Sequence, residues 1–384
     1  MRIPRQSPWP RIIPIHVPGK IRTGSLLLSI IFAATSCQTV PHDGNVAGNV
    51  AQSGKTGKDS RKIAHWVPLG LQGEVPFPGE DFALIYDPPR HRIILYGGKN
   101  DKNENVNQTW AMDLATKHWT NFTSDKQNPP PREDHTVLYD PVGDRMILFG
   151  GENNAGTENT TWTLDLKSMI WTDITTPDAP ASEDHTAIYD TKRKRMVIYG
   201  GQDGGFMLTT PYALDLDPTS PAFQRWTPLT VKENKKQKNP VGRVDHVAMY
   251  DPAGDRMIIF GGWEKDENYF MNDTWAFDFE EMMWKEHARK SRSRKPPPRR
   301  HAAVAYDKKH DWMLVFGGTG GGLLNDVWAF DLELNEWLNL TPGPPPRKDH
   351  AAIFDPRNNV MIIYGGETVS DGAKLHDLWQ LMVP

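Results

Sequence analysis

The chain is poor in cysteine, in net charge and in long apolar runs. Its single thiol, Cys37, cannot close an internal disulfide, and a thiolate-based structural zinc site is excluded with it. Lys and Arg number 44 against 48 Asp and Glu, a net charge of −4. Bulk charge therefore makes no case for nucleic acid, and no nucleic-acid partner is expected. Signatures of common chemistry are missing too. There is no Gly-x-Ser-x-Gly elbow, no His-Glu-x-x-His, no dinucleotide fingerprint and no phosphate-binding glycine loop. Residues 48–56 come near a P-loop but hold one residue too many and follow no strand. Neither a metal nor a cofactor is expected.

The N-terminus reads as an address. Arg2, Arg5, Arg11, Lys20 and Arg22 precede an apolar run of about ten residues and then small residues up to Cys37, the order of a secretory signal. The run is too short for a bilayer, which needs roughly twenty. Ala34-Thr35-Ser36-Cys37 resembles a bacterial lipobox, with Ala34 where Leu is usual. The expectation is a signal peptide over 1–37 and a lipid on Cys37; an ordinary signal cut near Ser36 is the alternative. Gln38 after the cysteine favours the outer membrane under the enterobacterial sorting pattern. The chain is thus expected to be exported and held in a bacterial envelope, facing the periplasm or the surface. Residues 38–62, rich in Gly, Asn, Ser and Lys without periodicity, read as a flexible tether.

What is abundant is glycine and proline, 32 of each, which favours many tight turns and an all-β fold. The glycines repeat. Gly-Gly pairs stand at 97–98, 150–151, 200–201, 261–262, 317–318 and 365–366, each after a β-branched and apolar run such as Met146-Ile-Leu-Phe149. Such runs read as strands buried on both faces. Eleven residues before each pair stands an aromatic followed by Asp, from Tyr86-Asp87 to Phe354-Asp355, often with Pro next, a turn signal. A third strand carries an aromatic and then Asp, as in Trp110/Asp113, and a fourth carries Trp119, Trp171, Trp226, Trp284 or Trp337. The sixth unit lacks that last Trp, but Trp66, ahead of the first complete unit, has the fourth-strand pattern. It is expected to fill the vacant outer position and close a ring.

Six such units in register resemble the kelch repeat over residues 63–384. The resemblance implies an all-β, six-bladed propeller with four antiparallel strands per blade, A to D, and a monomer. Copper oxidases on kelch-like propellers use a tyrosine cross-linked to cysteine, which a chain with only Cys37 does not offer. The iron pattern Glu-x-x-x-Asp-x-x-x-His of plant kelch specifier proteins is absent as well.

Antiparallel blades put A–B and C–D turns on one face and B–C and D–A loops on the other. The second face has the variable loops, where binding on a rigid scaffold usually occurs. Its D–A segments read Arg132-Glu-Asp-His135, Ser182-Glu-Asp-His185, Arg243-Val-Asp-His246, Arg299-Arg-His-Ala302 and Arg347-Lys-Asp-His350, with Gly79-Glu-Asp-Phe82 in the first blade. Arg132, Arg243, Arg299 and Arg347 either meet carboxylates or hydroxyls of a ligand or anchor the rim against Asp and backbone carbonyls. The Asp-His pairs are either ligands and acid–base groups or a repeated structural contact, and repetition favours the latter. Arg300 and Trp263 depart from the repeat, and Trp263 either stacks on a ligand or covers the next blade. The basic run from Lys285 to Arg300 is a solvated loop or a site for an anionic partner.

Three functions are open, one of them a structural spacer in an envelope assembly. The second is an extracytoplasmic binding scaffold that recognises a protein or glycan through the B–C/D–A face, with Arg132, Arg243, Arg299, Arg300, Arg347 and Trp263 as candidates. The third is a cofactor-free periplasmic carbohydrate enzyme resembling N-acetylneuraminate mutarotase. There Glu80, opposite Arg243 or Arg299, would serve as acid or base.

Overall fold

A computed structural model describes residues 64–383, apart from 125, 236, 288–294 and 369–371. The signal peptide, Cys37, the tether and Arg289, Lys290, Arg292 and Arg294 of the basic run lie outside those residues. Among the described residues there is no helix.

Six four-stranded antiparallel sheets make the propeller. Blade two shows the unit: Thr136–Asp140 (A), Arg145–Phe149 (B), Thr161–Asp165 (C) and Ile170–Asp173 (D). Strand B is buried from Met146 to Phe149 because sheets pack on both of its faces. The strand-D tryptophans Trp171, Trp226 and Trp337 each donate their indole N–H to a threonine in strand C of the preceding blade, at 3.0, 3.2 and 3.1 Å. A buried indole that finds an acceptor across the blade junction sets the spacing between sheets as well as filling it.

The Gly-Gly pair after strand B is where one blade meets the next. Gly150 and Gly151 have φ of 65° and 94°, a region that disfavours other residues. A Cβ on Gly150 would stand 2.4 Å from the Ser182 carbonyl oxygen of the next blade. The Gly151 N–H donates to that same carbonyl at 2.8 Å.

The ring closes as expected. His65–Leu69 pairs antiparallel with Leu378–Met382, from His65↔Met382 to Leu69↔Leu378, and becomes the outer strand of blade six. The Trp66 ring packs 5.0 Å from that of Phe316 in blade five. At the same seam, the Gly366 N–H donates to the Gly79 carbonyl at 2.9 Å.

The face formed by the A–B turns is a net of ion pairs. Asp140 accepts from the Val142 N–H at 3.0 Å and from Arg145 Nε at 2.9 Å, and the Tyr189 hydroxyl of blade three reaches it at 3.2 Å. Arg193 of blade three makes a two-pronged bond to Asp255 of blade four, at 2.8 and 2.9 Å. These groups hold one another across blade junctions, which makes this face structural.

Candidate binding face

On the opposite face each D–A segment enters the innermost strand through a residue with positive φ: Asp81, Asp134, Asp184, Asp245, His301 and Asp349, all between 53° and 57°. Asn and Asp tolerate this region better than most residues. At five of the six junctions this residue donates its N–H to the carbonyl of its counterpart in the preceding blade, at 3.0–3.3 Å. The turn sends the arginine two positions earlier into the blade and the carboxylate toward the axis.

The arginines are therefore not at the rim. Arg132, Arg243 and Arg347 are 0% exposed and Arg299 is 1% exposed. Arg243 donates to the Gly261 carbonyl at 3.0 Å and grips Asp273 with two bonds, at 2.8 and 3.0 Å. Arg299 does the same with Gly317 and Asp326, and Arg347 with Gly365 and Asp377. Arg132 binds the Gly150 carbonyl and the Thr160 hydroxyl. Of the two roles open to these four, the structure builds the anchoring one, because guanidinium groups without exposed surface do not reach a ligand in the funnel.

The histidines are also structural. His185 Nε2 and Thr136 Oγ1 share a hydrogen bond of 2.7 Å across blades, and His246 and Thr186 one of 2.8 Å. Burial pushes His135, His185 and His350 down to about 3, so they are neutral at ordinary pH.

The carboxylates are different. With His135, His185, His246, His350 and Phe82, they line an axial cavity of about 190 Å³. Burial, and after it the charges of Asp349 and Glu80, raise Asp81 well above the usual carboxylate range. Burial with Asp81 and Asp184 does the same to Asp134, and burial with Asp245 to Asp184. For Asp349, burial is outweighed by His301 and Lys348, which hold it low. His301 bridges the ring, with Nε2 3.3 Å from Asp245 and Nδ1 against Asp349. Burial works against its charge, but Asp349 and Asp245 outweigh burial and lift it to about 9.

This has a measurable consequence. A histidine whose pKa is raised on folding stabilises fully below its ordinary 6.5 and loses that contribution as pH climbs through about 9. The raised carboxyls of Asp81, Asp134 and Asp184 act in the same direction but from the ordinary carboxylate range upward, where the folded state keeps protons that the unfolded chain releases. The thermal midpoint is expected to fall between pH 6.5 and 9, and His301→Gln to remove much of that slope. A midpoint flat over this interval contradicts the bridge.

Glu80 is buried, with Lys374 Nζ 2.9 Å from one carboxylate oxygen. Burial and a hydrogen bond with Glu367 raise its pKa. Arg243 and Arg299 are held in their own blades, so the expected pairing of Glu80 with either as acid and clamp is not formed. Among the described residues two groups come close enough to ligate an ion, Asp81–His301–Asp349 and Glu80–Asp349–Glu367. Lys348 and Lys374 already occupy the second group, the former at 2.7 Å from both Asp349 and Glu367.

Outside the cavity the B–C loops form small hairpins. Gln202–Asp203 pairs with Phe206–Met207 in blade three, and Trp263–Glu264 with Tyr269–Phe270 in blade four. Phe206 is 81% exposed and Tyr269 41%. Trp263 is half-buried, and the Arg300 guanidinium lies 4.6 Å over its ring. Arg300 also bonds Asp245 at 3.2 Å.

With this geometry in place, residues 60–238 and 176–344 match the family model for the KLHDC2/KLHL20/DRC7 Kelch-repeats domain. The chain belongs to the kelch-repeat propellers. Kelch propellers serve broadly as protein-binding scaffolds. The human Kelch domain-containing protein 3 is 27% identical over 260 residues, covering 66% of this chain and 65% of that protein. Tip elongation aberrant protein 1 of Schizosaccharomyces pombe is 26% identical over 253 residues, 64% of this chain and 16% of its own length. The flagellar outer-arm dynein alpha chain of Chlamydomonas reinhardtii is 26% identical over 208 residues, 52% of this chain and 4% of its own. This kelch propeller thus spans less than two thirds of each of these relatives.

The acidic partners of the arginines, Asp273, Asp326 and Asp377, were not among the sequence candidates, yet the repeat carries their signal. Asp stands two residues before the strand-C tryptophan in blades four, five and six, where arginine heads strand A. Blade two pairs Arg132 with Thr160, and blade three has Ser182 and Thr210 at those two positions.

Proposed function

We propose that this kelch propeller is an extracytoplasmic binding protein that takes a protein or glycan ligand on its B–C/D–A face. The observation that carries the reading is the contrast between faces. One is closed by ion pairs between blades; the other presents exposed Phe206 and Tyr269 beside a cavity ringed with carboxylates. Aromatic side chains on a rigid rim give contact area at low entropic cost. The secretory pattern of residues 1–37 supports the compartment and Cys37 the anchor.

The test is capture from envelope extract with paired variants. Phe206→Ser/Tyr269→Ser is expected to lose the captured ligand. Leu334→Ser, at an exposed position between strands C and D of blade five, is expected to keep it. The reverse pattern places binding on the other face. Cys37→Ser is expected to move the chain from the membrane to the soluble fraction; an unchanged distribution removes the anchor.

A further inference from the structure

The charge around the funnel is uneven, and the unevenness points to the chemistry of the ligand. On the side of blades four to six the carboxylates are neutralised from within. Asp245 has Arg300 at 3.2 Å and His301 at 3.3 Å; Asp349 has His301 and, at 2.7 Å, Lys348. On the side of blades one to three no ion pair does this among the described residues; His301 acts on Asp81 and Asp184, and Lys99 on Asp81 and Asp134, only through charge at longer range. Asp184 meets the neutral amide of Gln202 at 3.2 Å and the carboxyl of Asp245. The carboxyls of Asp81 and Asp134 feel burial first and then the charges of neighbouring groups. Most of those neighbours are acidic.

A small ion is poorly suited to this arc. Asp134 and Asp184 belong to neither group of described residues whose donor atoms close to within 4.8 Å of one another. A single metal ion needs its oxygens nearer than that. An organic cation does not, because a guanidinium spreads five donors and an ammonium three. A second cavity adjoins the ring, lined by Ala83, Val137, Ala187, Val247 and Ala303 together with Thr136, Thr186 and the neutral histidines, and it holds no carboxylate to compete for such a head.

The aromatic rim adjoins this same arc. Gln202, which holds Asp184, accepts a bond of 2.8 Å from Lys265, and this joins the blade-three hairpin to that of blade four. Phe206 stands on the first hairpin and Tyr269 on the second. A chain crossing them leads from exposed aromatic surface to carboxyl groups that no ion pair holds among the described residues.

We propose that this face takes an extended segment of a protein partner bearing Lys or Arg, with one basic side chain entering the funnel toward Asp81, Asp134 and Asp184. The flanking residues lie on Phe206 and Tyr269. The inference rests on the reading of this face as the binding surface and gives its partner a sign. Burial and neighbouring acids make these carboxyls hold their protons more tightly than exposed acids do, and a cation entering the funnel displaces those protons and pairs with the carboxylates left behind. An acidic glycan or an anionic lipid headgroup brings no charge that these three carboxyls could pair with. The anionic partner suggested by the basic run after Lys285 is therefore replaced here by a cationic one.

A library of random dodecapeptides displayed on phage, panned on the purified chain, tests this. Selected peptides, synthesised with blocked ends, are measured by fluorescence polarisation against the wild type, Asp134→Asn/Asp184→Asn and Phe206→Ser. The asparagines fit the positive φ of both positions. Removing like charges should leave the thermal midpoint unchanged or higher, which checks folding. The expected result is a shared Lys or Arg flanked by apolar residues. Affinity should fall roughly tenfold or more when that residue becomes citrulline or norleucine, and by a similar factor in the double variant.

Peptides without a common basic residue, or peptides that bind the double variant as tightly, overturn the inference and leave the binding face standing. Failure to enrich any peptide overturns both for a protein ligand. Calcium chloride that raises the midpoint of the wild type alone and displaces the peptides assigns the arc to a metal ion, and that also overturns it.

Discussion

Arg243→Ala is expected to lower the stability of the propeller by about 3–5 kcal/mol, the usual loss when one partner of a buried ion pair is removed. The side chain has no exposed surface, and its removal leaves the Gly261 carbonyl without its donor and Asp273 with only the Trp275 indole, at 2.6 Å. Lysine does not rescue it, because a single ammonium cannot reproduce the two parallel bonds to Asp273. Blade three shows how the fold manages without the pair, since Ser182 and Thr210 occupy the matching positions. The double variant Arg243→Ser/Asp273→Thr is accordingly expected to recover part of the loss. Urea unfolding midpoints measure both. An arginine that served a ligand would behave in the opposite way, with stability unchanged and binding lost.

A chain that begins at Gly70 is expected to fold poorly or to associate. Removing His65–Leu69 bares the whole edge of Leu378–Met382 and takes Trp66 from Phe316. An open strand edge is a template for pairing with another chain. The lost packing of one large aromatic alone costs on the order of 3–5 kcal/mol, against a total stability of roughly 5–15 kcal/mol for a typical domain. The thermal midpoint should drop by roughly 10 °C. A synthetic peptide of residues 64–69 in excess should restore part of it by mass action. A shortened chain that stays monomeric at the full midpoint would show that the ring does not depend on this strand.

The blades were legible because each carries its own punctuation. Gly97-Gly98 and its five counterparts mark the junctions, the aromatic-Asp steps mark the A–B turns, and the odd count of fourth-strand tryptophans exposed the borrowed strand at Trp66. The arginines were legible as a repeat but not as to direction. Whether Arg243 faces the funnel or the blade depends on the positive φ at Asp245 and on Asp273, thirty residues on in a different strand. Pattern along one segment does not report either. The same holds for the carboxylates. Four copies of Asp-His look alike in sequence, and only the placement of Arg300, His301 and Lys348 divides them into a neutralised side and an unbalanced one. His301, at an Asp position, was visible as a departure, and its place between Asp245 and Asp349 gives that departure its purpose.

The proposed function makes the funnel side the working face and the A–B side the frame. Amide hydrogen exchange of the whole chain, with and without a selected basic peptide, measures this most directly. Exchange is predicted to slow at 202–207, at 263–270 and at Asp134 and Asp184, with no change in the turns 141–144 and 252–255. Protection confined to those turns, or to the outer strands of the blades, would contradict it.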